Sequence, residues 1–209
     1  MIFTDIHTHS QKTQPNEVGV MNLSVSEAES RLLSDETALY SIGIHPWEVD
    51  LASETEMEKL KILVADSRVR LIGECGLDKF AKAGLKLQLD YFRKQIEFSE
   101  QLHKPLIIHC VGCFNELFTV RKEIKPSQKW IIHGFRGKPQ LAEQALKAGC
   151  DLSFGEKFNA DTVQITPLER LFVETDESKI SIEEIYRKIA ELKQCRMDEL
   201  IAGNALLNC

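Results

Sequence analysis

Residues 69–109 read VRLIGECGLDKFAKAGLKLQLDYFRKQIEFSEQLHKPLIIH, and this stretch sets the pattern for the whole chain. It opens and closes on short apolar runs, Val69–Leu77 and Pro105–His109, which are typical of buried strands. Between the two runs, large apolar residues recur at helical spacing and predict a helix with one buried face: Leu85, Leu89, Phe92, Ile96 and Leu102. The stretch therefore predicts a strand, a helix and a second strand in succession.

Apolar runs of the same kind recur along the rest of the chain: Ile2–His9, Gly19–Val25, Ala38–His45, Trp130–Phe135, Cys150–Phe154 and Leu171–Asp176. Eight strands that alternate with helices over 209 residues predict an α/β fold of the (β/α)8 TIM-barrel type, with a doubly wound open sheet as the alternative. Because no linker rich in proline, glycine or serine interrupts the chain, we expect residues 1–209 to form a single domain.

Several helix starts are marked by a serine followed three residues later by a glutamate, the capping-box pattern: Ser24 with Glu27, Ser53 with Glu56, and Ser181 with Glu184. Pro139 marks a further helix start. In contrast, residues 10–17 and 155–167 show no helical pattern and are expected to be loops. The predicted barrel is therefore a trimmed one, in which loops replace some of the outer helices.

The composition of the chain argues against a membrane protein, a secreted protein and a protein with an extended basic surface. The longest apolar runs are only a few residues, too short to cross a bilayer, so we expect no membrane association. The six cysteines and an N-terminus unlike a secretory signal favour a reducing compartment, and we expect a cytoplasmic protein. The net charge of −6 argues against an extended basic surface, although basic residues exceed acidic ones between residues 115 and 147. No feature of the sequence indicates an obligatory protein partner.

Residues of the types that bind metals lie at the ends of these apolar runs. His7 and His9 are two apart in a predicted strand, so their side chains point the same way. Four further candidates end or nearly end later runs: Glu74, His109, His133 and Asp176. The carboxyl ends of barrel strands are where such enzymes place their sites. Six ligands exceed the needs of one tetrahedral ion and indicate two cations, with Glu74 as the expected bridge.

Six blocks of the sequence, in order, resemble the motifs of the TatD family of metal-dependent hydrolases. They are DIHTHS (residues 5–10), GIHP (43–46), GECGLD (73–78), KPLIIH (104–109), IHGFRG (132–137) and ETD (174–176). The family is a branch of the amidohydrolase-type barrels, and its characterised members are often deoxyribonucleases. The resemblance thus implies a nuclease, more broadly a phosphodiesterase, that acts on DNA or another phosphodiester.

The resemblance also implies how the site residues are shared. One metal would be held by His7, His9, Glu74 and Asp176, and the other by Glu74, His109 and His133. His45 would lie near the substrate phosphate, and we expect Asp176 to act as the general base. The catalytic set is then Asp176, Glu74 and His45, with His45 and Arg136 as substrate-binding residues that stabilise developing negative charge. Mixed imidazole and carboxylate donors admit Zn²⁺, Mn²⁺, Mg²⁺ or Fe²⁺.

Some positions depart from the family pattern. The family usually continues after its fifth-strand histidine with Ser-Arg-Asp-Ala, whereas this chain has Cys110, Val111, Gly112 and Cys113. Asp78 is a candidate support for a metal ligand or for the barrel rim. The loss of an arginine and an acid keeps two alternatives open: a hydrolase of a small ester, amide or phosphoester on the same metals, and a non-catalytic metal-binding barrel.

Overall fold

The computed structural model describes residues 1–11, 14–35, 37–200 and 202–207. All eight predicted strands are present: β1 Phe3–Thr8, β2 Glu17–Ser24, β3 Leu39–Gly43, β4 Val69–Asp78, β5 Leu106–Val111, β6 Trp130–Ile132, β7 Asp151–Phe154 and β8 Leu171–Val173. The helices are α1 Val25–Ser34, α2 Glu54–Leu63, α3 Leu85–Leu102, α4 Phe114–Ile124, α5 Pro139–Lys147, α6 Ala160–Ile165, α7 Ile182–Lys193 and α8 Ala202–Leu207. Short 3₁₀ turns span Leu168–Arg170 and Met197–Glu199.

The strands belong to one sheet whose order follows the chain from β1 to β8. Each strand from β2 to β8 is followed by a helix before the chain continues. A parallel bridge also joins Thr8, at the end of β1, to Asp176, just past β8. Sequential order, helical crossovers and a link between the first and last strands define the (β/α)8 barrel, so the predicted fold class is confirmed.

The chain divides into two compact units, Met1–Met21 with Ile132–Cys209, and Asn22–Ile131. In the first unit, Tyr186 of α7 packs on Phe3 with ring centroids 5.2 Å apart. The Tyr186 hydroxyl donates to the Thr4 carbonyl over 2.9 Å. In the second unit, Phe92 of α3 packs on Trp130 at 5.2 Å, and both side chains are fully buried. The prediction of a single domain over residues 1–209 stays a prediction.

The helix starts are fixed by the caps that the sequence predicts. The Ser24 hydroxyl accepts the backbone N–H of Glu27, and the Glu27 carboxylate accepts the backbone N–H of Ser24. The helix α1 therefore has a full capping box. Ser53 and Ser181 likewise accept the backbone N–H three residues on, at the starts of α2 and α7. Pro139 occupies the first turn of α5.

Two local expectations are corrected, and a third agrees with the structure. The strand β5 continues two residues past His109, where the predicted strand ended, because its parallel pairing with β4 continues through Asp78 with Val111. The strand β4 ends at Asp78, one residue past the predicted end at Leu77. The expected loop at residues 155–167 contains the short helix α6, whose start is capped by the side chain of Asn159. Within the described part of residues 10–17, no helix forms, in agreement with the trimmed barrel.

No helix in the described ranges combines the length and apolar character that crossing a bilayer requires.

Candidate metal centres

The first cluster of candidate ligands lies in the first unit and consists of His7, His133 and Asp176. Each offers one ligand atom, and these atoms lie within 4.8 Å of one another. His7 is fully buried, and its Nε2 lies 3.7 Å from Oδ1 of Asp176. The rings of His7 and His133 have centroids 4.5 Å apart. Two imidazoles and a carboxylate form a donor set that suits Zn²⁺, Mn²⁺ and Fe²⁺.

Backbone pairing brings Asp176 to the end of β1. Its N–H donates to the His7 carbonyl over 2.9 Å, and its carbonyl accepts the His9 N–H over 3.2 Å. Asp176 adopts a left-handed conformation with φ of 54°, which aspartate tolerates better than most residues. This pairing also places His9 Nε2 at 3.6 Å from Oδ1 of Asp176. His9 is half exposed and lies at the margin of the first cluster.

A buried hydrogen-bond network supports the segment that precedes Asp176. Asp5 is fully buried in β1. Its Oδ1 accepts the Thr175 N–H over 2.9 Å, and its Oδ2 accepts the Thr175 hydroxyl over 2.6 Å. Bonds to a charged acceptor are stronger than bonds between neutral groups, so Asp5 fixes the residue next to Asp176 firmly.

Glu174 lies against His133. Its Oε1 is 3.5 Å from Nδ1 of His133 and accepts the Gly134 N–H over 2.6 Å. Complete burial by itself raises the pKa of Glu174, but the hydrogen bond and charge of His133 outweigh it and hold the pKa below its usual value. Glu174 therefore remains a carboxylate that orients the imidazole of His133.

A cavity of about 420 Å³ opens beside this cluster within the first unit. Asp176 and Glu174 contribute to its wall, together with three basic side chains: Arg136, Lys157 and Lys179. None of these three forms an ion pair within the part of the chain that the structure describes. The wall also carries the carboxylates of Glu156 and Glu177, so the cationic groups lie among acidic side chains next to a candidate metal ligand.

The second cluster lies in the second unit and consists of His45, Glu74 and His109. Their ligand atoms also lie within 4.8 Å of one another. Glu74 Oε1 is 3.9 Å from Nε2 of His45 and 3.7 Å from Nδ1 of His109. The two imidazole rings are 4.4 Å apart and nearly perpendicular.

Asn22 and Gly73 fix the position of Glu74. Oδ1 of Asn22 accepts the Glu74 N–H over 2.8 Å, and its Nδ2 donates to Glu74 Oε2 over 3.4 Å. Gly73 has a φ of 139°, and a Cβ there would collide with the backbone carbonyl of Ile107. Only glycine allows β4 to approach β5 so closely beside Glu74.

The two histidines of the second cluster make different hydrogen bonds. Nε2 of His109 lies 3.0 Å from Oδ2 of Asp78, so it carries the proton and leaves the Nδ1 lone pair facing Glu74. Nδ1 of His45 instead accepts the Trp47 N–H over 3.1 Å. A neutral imidazole has one donor and one acceptor nitrogen, so Nε2 of His45 is then a donor. His109 has the geometry of a metal ligand, whereas His45 has that of a hydrogen-bond donor.

Asp78 is a charged partner for His109. Burial raises the pKa of Asp78, but hydrogen bonds from the Phe80 N–H, His109 and Trp47 together bring the pKa below its usual value. Its backbone is held in turn by Gln88 of α3, whose Oε1 accepts the Asp78 N–H over 2.8 Å. The contact agrees with the expected role of Asp78 as support for a ligand.

Several of the candidate residues lie close together within each unit. His133 lies with His7 and Asp176, and His45 lies with Glu74 and His109. Arg136 lies on the wall of the cavity that Asp176 also lines. The metal-ligand and catalytic assignments of all these residues stay predictions.

A family model described as TatD related DNase matches residues 6–204. The chain belongs to the TatD-related DNase family. Membership confirms the resemblance that the six motifs predict, and it confirms a metal-dependent hydrolase of the TIM-barrel type.

Similar proteins include one named as a metal-dependent hydrolase and one named as a nuclease. The uncharacterized metal-dependent hydrolase YabD of Bacillus subtilis is 29% identical over 77% of this chain and 71% of its own length. The human 3'-5' RNA nuclease TATDN2 is also 29% identical, over 69% of this chain and 21% of that protein.

Solved structures support the TatD fold. YjjV, a TatD homologue of Escherichia coli, superposes with a TM-score of 0.81 at 20% identity, covering 99% of this chain and 95% of that one. A TatD family hydrolase of Entamoeba histolytica gives a TM-score of 0.73 at 17% identity, covering 99% and 96% of the two chains. At these identities, the superpositions establish the fold alone.

Proposed function

We propose that the chain is a divalent-metal-dependent phosphodiesterase that hydrolyses DNA. The observation that carries the proposal is the pair of clusters, each with imidazole and carboxylate ligand atoms within 4.8 Å of one another. One ion is assigned to His7, His133 and Asp176, with His9 at the margin. The other ion is assigned to Glu74 and His109. Glu74 as a bridging ligand stays part of the proposal.

Divalent ions held there would polarise phosphoryl oxygens and favour deprotonation of water near neutral pH. The carboxylate of Asp176 orients the attacking water and accepts its proton. Because Nδ1 of His45 is an acceptor, its Nε2–H, 3.9 Å from Oε1 of Glu74, can donate to a phosphoryl oxygen as negative charge develops. Arg136, exposed on the cavity wall, pairs with a phosphate of the substrate.

The nucleic-acid substrate is supported by the family description and by the cavity. The matching family is described as a DNase, and the human relative is named as an RNA nuclease. The cavity next to Asp176 carries three basic side chains among its carboxylates, Arg136, Lys157 and Lys179, and these bases can pair with phosphates. We take DNA as the first substrate and RNA as the comparison.

Hydrolysis of a 5'-labelled single-stranded oligodeoxynucleotide tests the proposal. Full-length protein is supplied with Mn²⁺, Zn²⁺ or Mg²⁺ in turn, with and without chelator, and compared with Asp176→Asn. The matched control is Asp90→Asn, which alters an exposed aspartate of α3. We expect metal-dependent cleavage by the wild type and the control, and a fall of about 10²-fold or more in Asp176→Asn.

The replacement of the usual motif by Cys110–Cys113 favours a second candidate, a hydrolase of a small phosphoester, ester or amide. Gly112 has no side chain and a φ of 68°, so this segment offers fewer groups to a polymeric substrate than an arginine and an acid would. Turnover of small substrates without cleavage of DNA or RNA would replace the nuclease proposal with this one. Metal binding without any turnover would favour the non-catalytic barrel. Cytoplasmic location stays a prediction.

A further inference from the structure

Two large aromatic side chains are exposed beside the second cluster. Trp47, in the segment after β3, has 62% of its surface exposed, and Phe80, just past β4, has 73%. The other tryptophan, Trp130, is completely buried. Burial of a large aromatic side chain is favourable, so exposed rings next to a candidate site are a feature to explain.

Asp78 holds both aromatic residues in place. Trp47 Nε1 donates to Oδ2 of Asp78 over 2.7 Å, and the Phe80 N–H donates to Oδ1 over 2.8 Å. Asp78 is the same residue that contacts His109. The indole of Trp47 therefore has a fixed orientation, with its ring centroid 5.1 Å from that of His45 and 6.0 Å from that of His109.

A lysine adds positive charge to this surface. Lys79 Nζ lies 4.7 Å from the centroid of the Phe80 ring. The aliphatic part of Lys79 lies over Gly112, where a Cβ would collide with it. Lys79 forms no ion pair with any residue that the structure describes. Gly112 thus leaves room for the Lys79 side chain, whose cation lies next to the Phe80 ring.

We infer that Trp47, Phe80 and Lys79 form a nucleotide subsite in which an unpaired base stacks on Trp47 and an adjacent phosphate pairs with Lys79. Aromatic faces interleaved with cations are the means by which proteins bind single strands without reading sequence. Bases inside a duplex are already stacked, so such a subsite selects single-stranded ends. This inference rests on the proposed function and deepens it. In this subsite the protein recognises the base of the nucleotide as well as its phosphate.

Fluorescence tests the stacking directly, without turnover. Trp47 is the exposed tryptophan, so a base stacked on it quenches its emission, whereas buried Trp130 is shielded. Metal-loaded full-length protein is titrated with a phosphorothioate oligothymidylate, which resists hydrolysis, and with an abasic strand of equal length and charge. We expect quenching by the thymidylate strand that the abasic strand does not reproduce and that Trp47→Phe lacks. Equal quenching by the two strands would overturn the subsite.

Kinetics provide the second test. Trp47→Ala is expected to lower kcat/KM for the oligonucleotide, relative to a base-free phosphodiester, about tenfold or more, mainly through KM. Trp47→Phe keeps a ring and is expected to retain most of the preference. Leu51→Ala is the matched control, because Leu51 follows in the same segment and is 84% exposed. An equal loss on both substrates would assign Trp47 a structural role through Asp78 and would overturn the inference.

The two proposals fail in different ways. Base-dependent quenching without DNA hydrolysis would support the subsite and contradict the nuclease function. DNA hydrolysis without base-dependent quenching would support the nuclease function and overturn the subsite.

Discussion

Oδ2 of Asp78 lies 3.0 Å from Nε2 of His109. This contact fixes the tautomer and the ring orientation of the histidine, so that Nδ1 faces Glu74 at 3.7 Å. Asp78 itself is held at its backbone by Gln88 and at its carboxylate by Trp47. A chain of contacts therefore runs from Gln88 of α3 through Asp78 to the imidazole of His109.

Replacing Asp78 by asparagine tests this support. Asp78→Asn keeps the size of the side chain but removes the negative charge that His109 faces. A carboxylate that is hydrogen-bonded to a ligating histidine contributes about 10–100-fold to metal affinity. We therefore expect Asp78→Asn to weaken the binding of one of the two ions, the one that His109 holds, by about 10–100-fold. Competition with a chromophoric chelator measures it. Asp90→Asn is the control, and equal affinities in the two variants would contradict the role of Asp78.

His45 is predicted to differ from His109 in its response to substitution. Because Nδ1 of His45 accepts the Trp47 N–H, its other nitrogen is a donor, and we expect His45→Ala to keep its bound metal while kcat falls about 10²-fold. Metal content and kcat, measured on the same preparation, check this. Loss of an ion in His45→Ala would make His45 a ligand and refute the assignment.

Thr175→Val probes the buried network behind Asp176. The substitution conserves shape but removes the hydroxyl that donates to Oδ2 of Asp5. Depriving a buried carboxylate of a donor is expected to lower the free energy of unfolding by about 1–3 kcal/mol. Urea denaturation measures the change. Thr119→Val, at an exposed position of α4, is expected to stay within about 0.5 kcal/mol, and similar values for both variants would show that the network adds little.

Gly76 is predicted to be irreplaceable in the sheet. It has a φ of 135°, and a Cβ there would collide with the backbone carbonyl of His109. We expect Gly76→Ala to lower the free energy of unfolding by about 3 kcal/mol or more, through strain and displacement of β5. Gly84→Ala, where an added Cβ meets open space, is the control with little expected change. Thermal unfolding of both variants measures the loss of stability. A Tm of Gly76→Ala equal to that of the wild type would contradict the prediction.

Much of the fold follows from short-range features of the sequence. Apolar runs bounded by polar residues mark all eight strands, and serine caps mark helix starts because both depend on neighbouring residues. The end of β5 was not predictable in this way, since pairing with β4 extends it past His109 to Val111. The short helix α6 escaped prediction because six residues are too few to show a helical stripe.

The residue types of the candidate site can be read from the sequence, whereas the distances between its residues cannot. Histidines and carboxylates at strand ends stand out in the sequence, whereas the proximity of His133 to His7 depends on barrel geometry. Asn22 and Glu174 were missed because a polar residue in or beside a strand gives no sign of its partner. A signal did exist in α3, where Gln88 and Gln95 are seven residues apart on its buried face and hold the backbones of Asp78 and Ile44.

The number of bound ions is the sharpest test of the proposal that the protein holds two divalent metal ions. Metal content by mass spectrometry is compared for the wild type, His7→Ala and His109→Ala, with circular dichroism to show that each is folded. We expect about two ions per chain in the wild type and about one in each variant, because the two histidines lie in different clusters. A folded wild-type protein that binds no divalent ion after reloading, or variants that keep both ions, would contradict it.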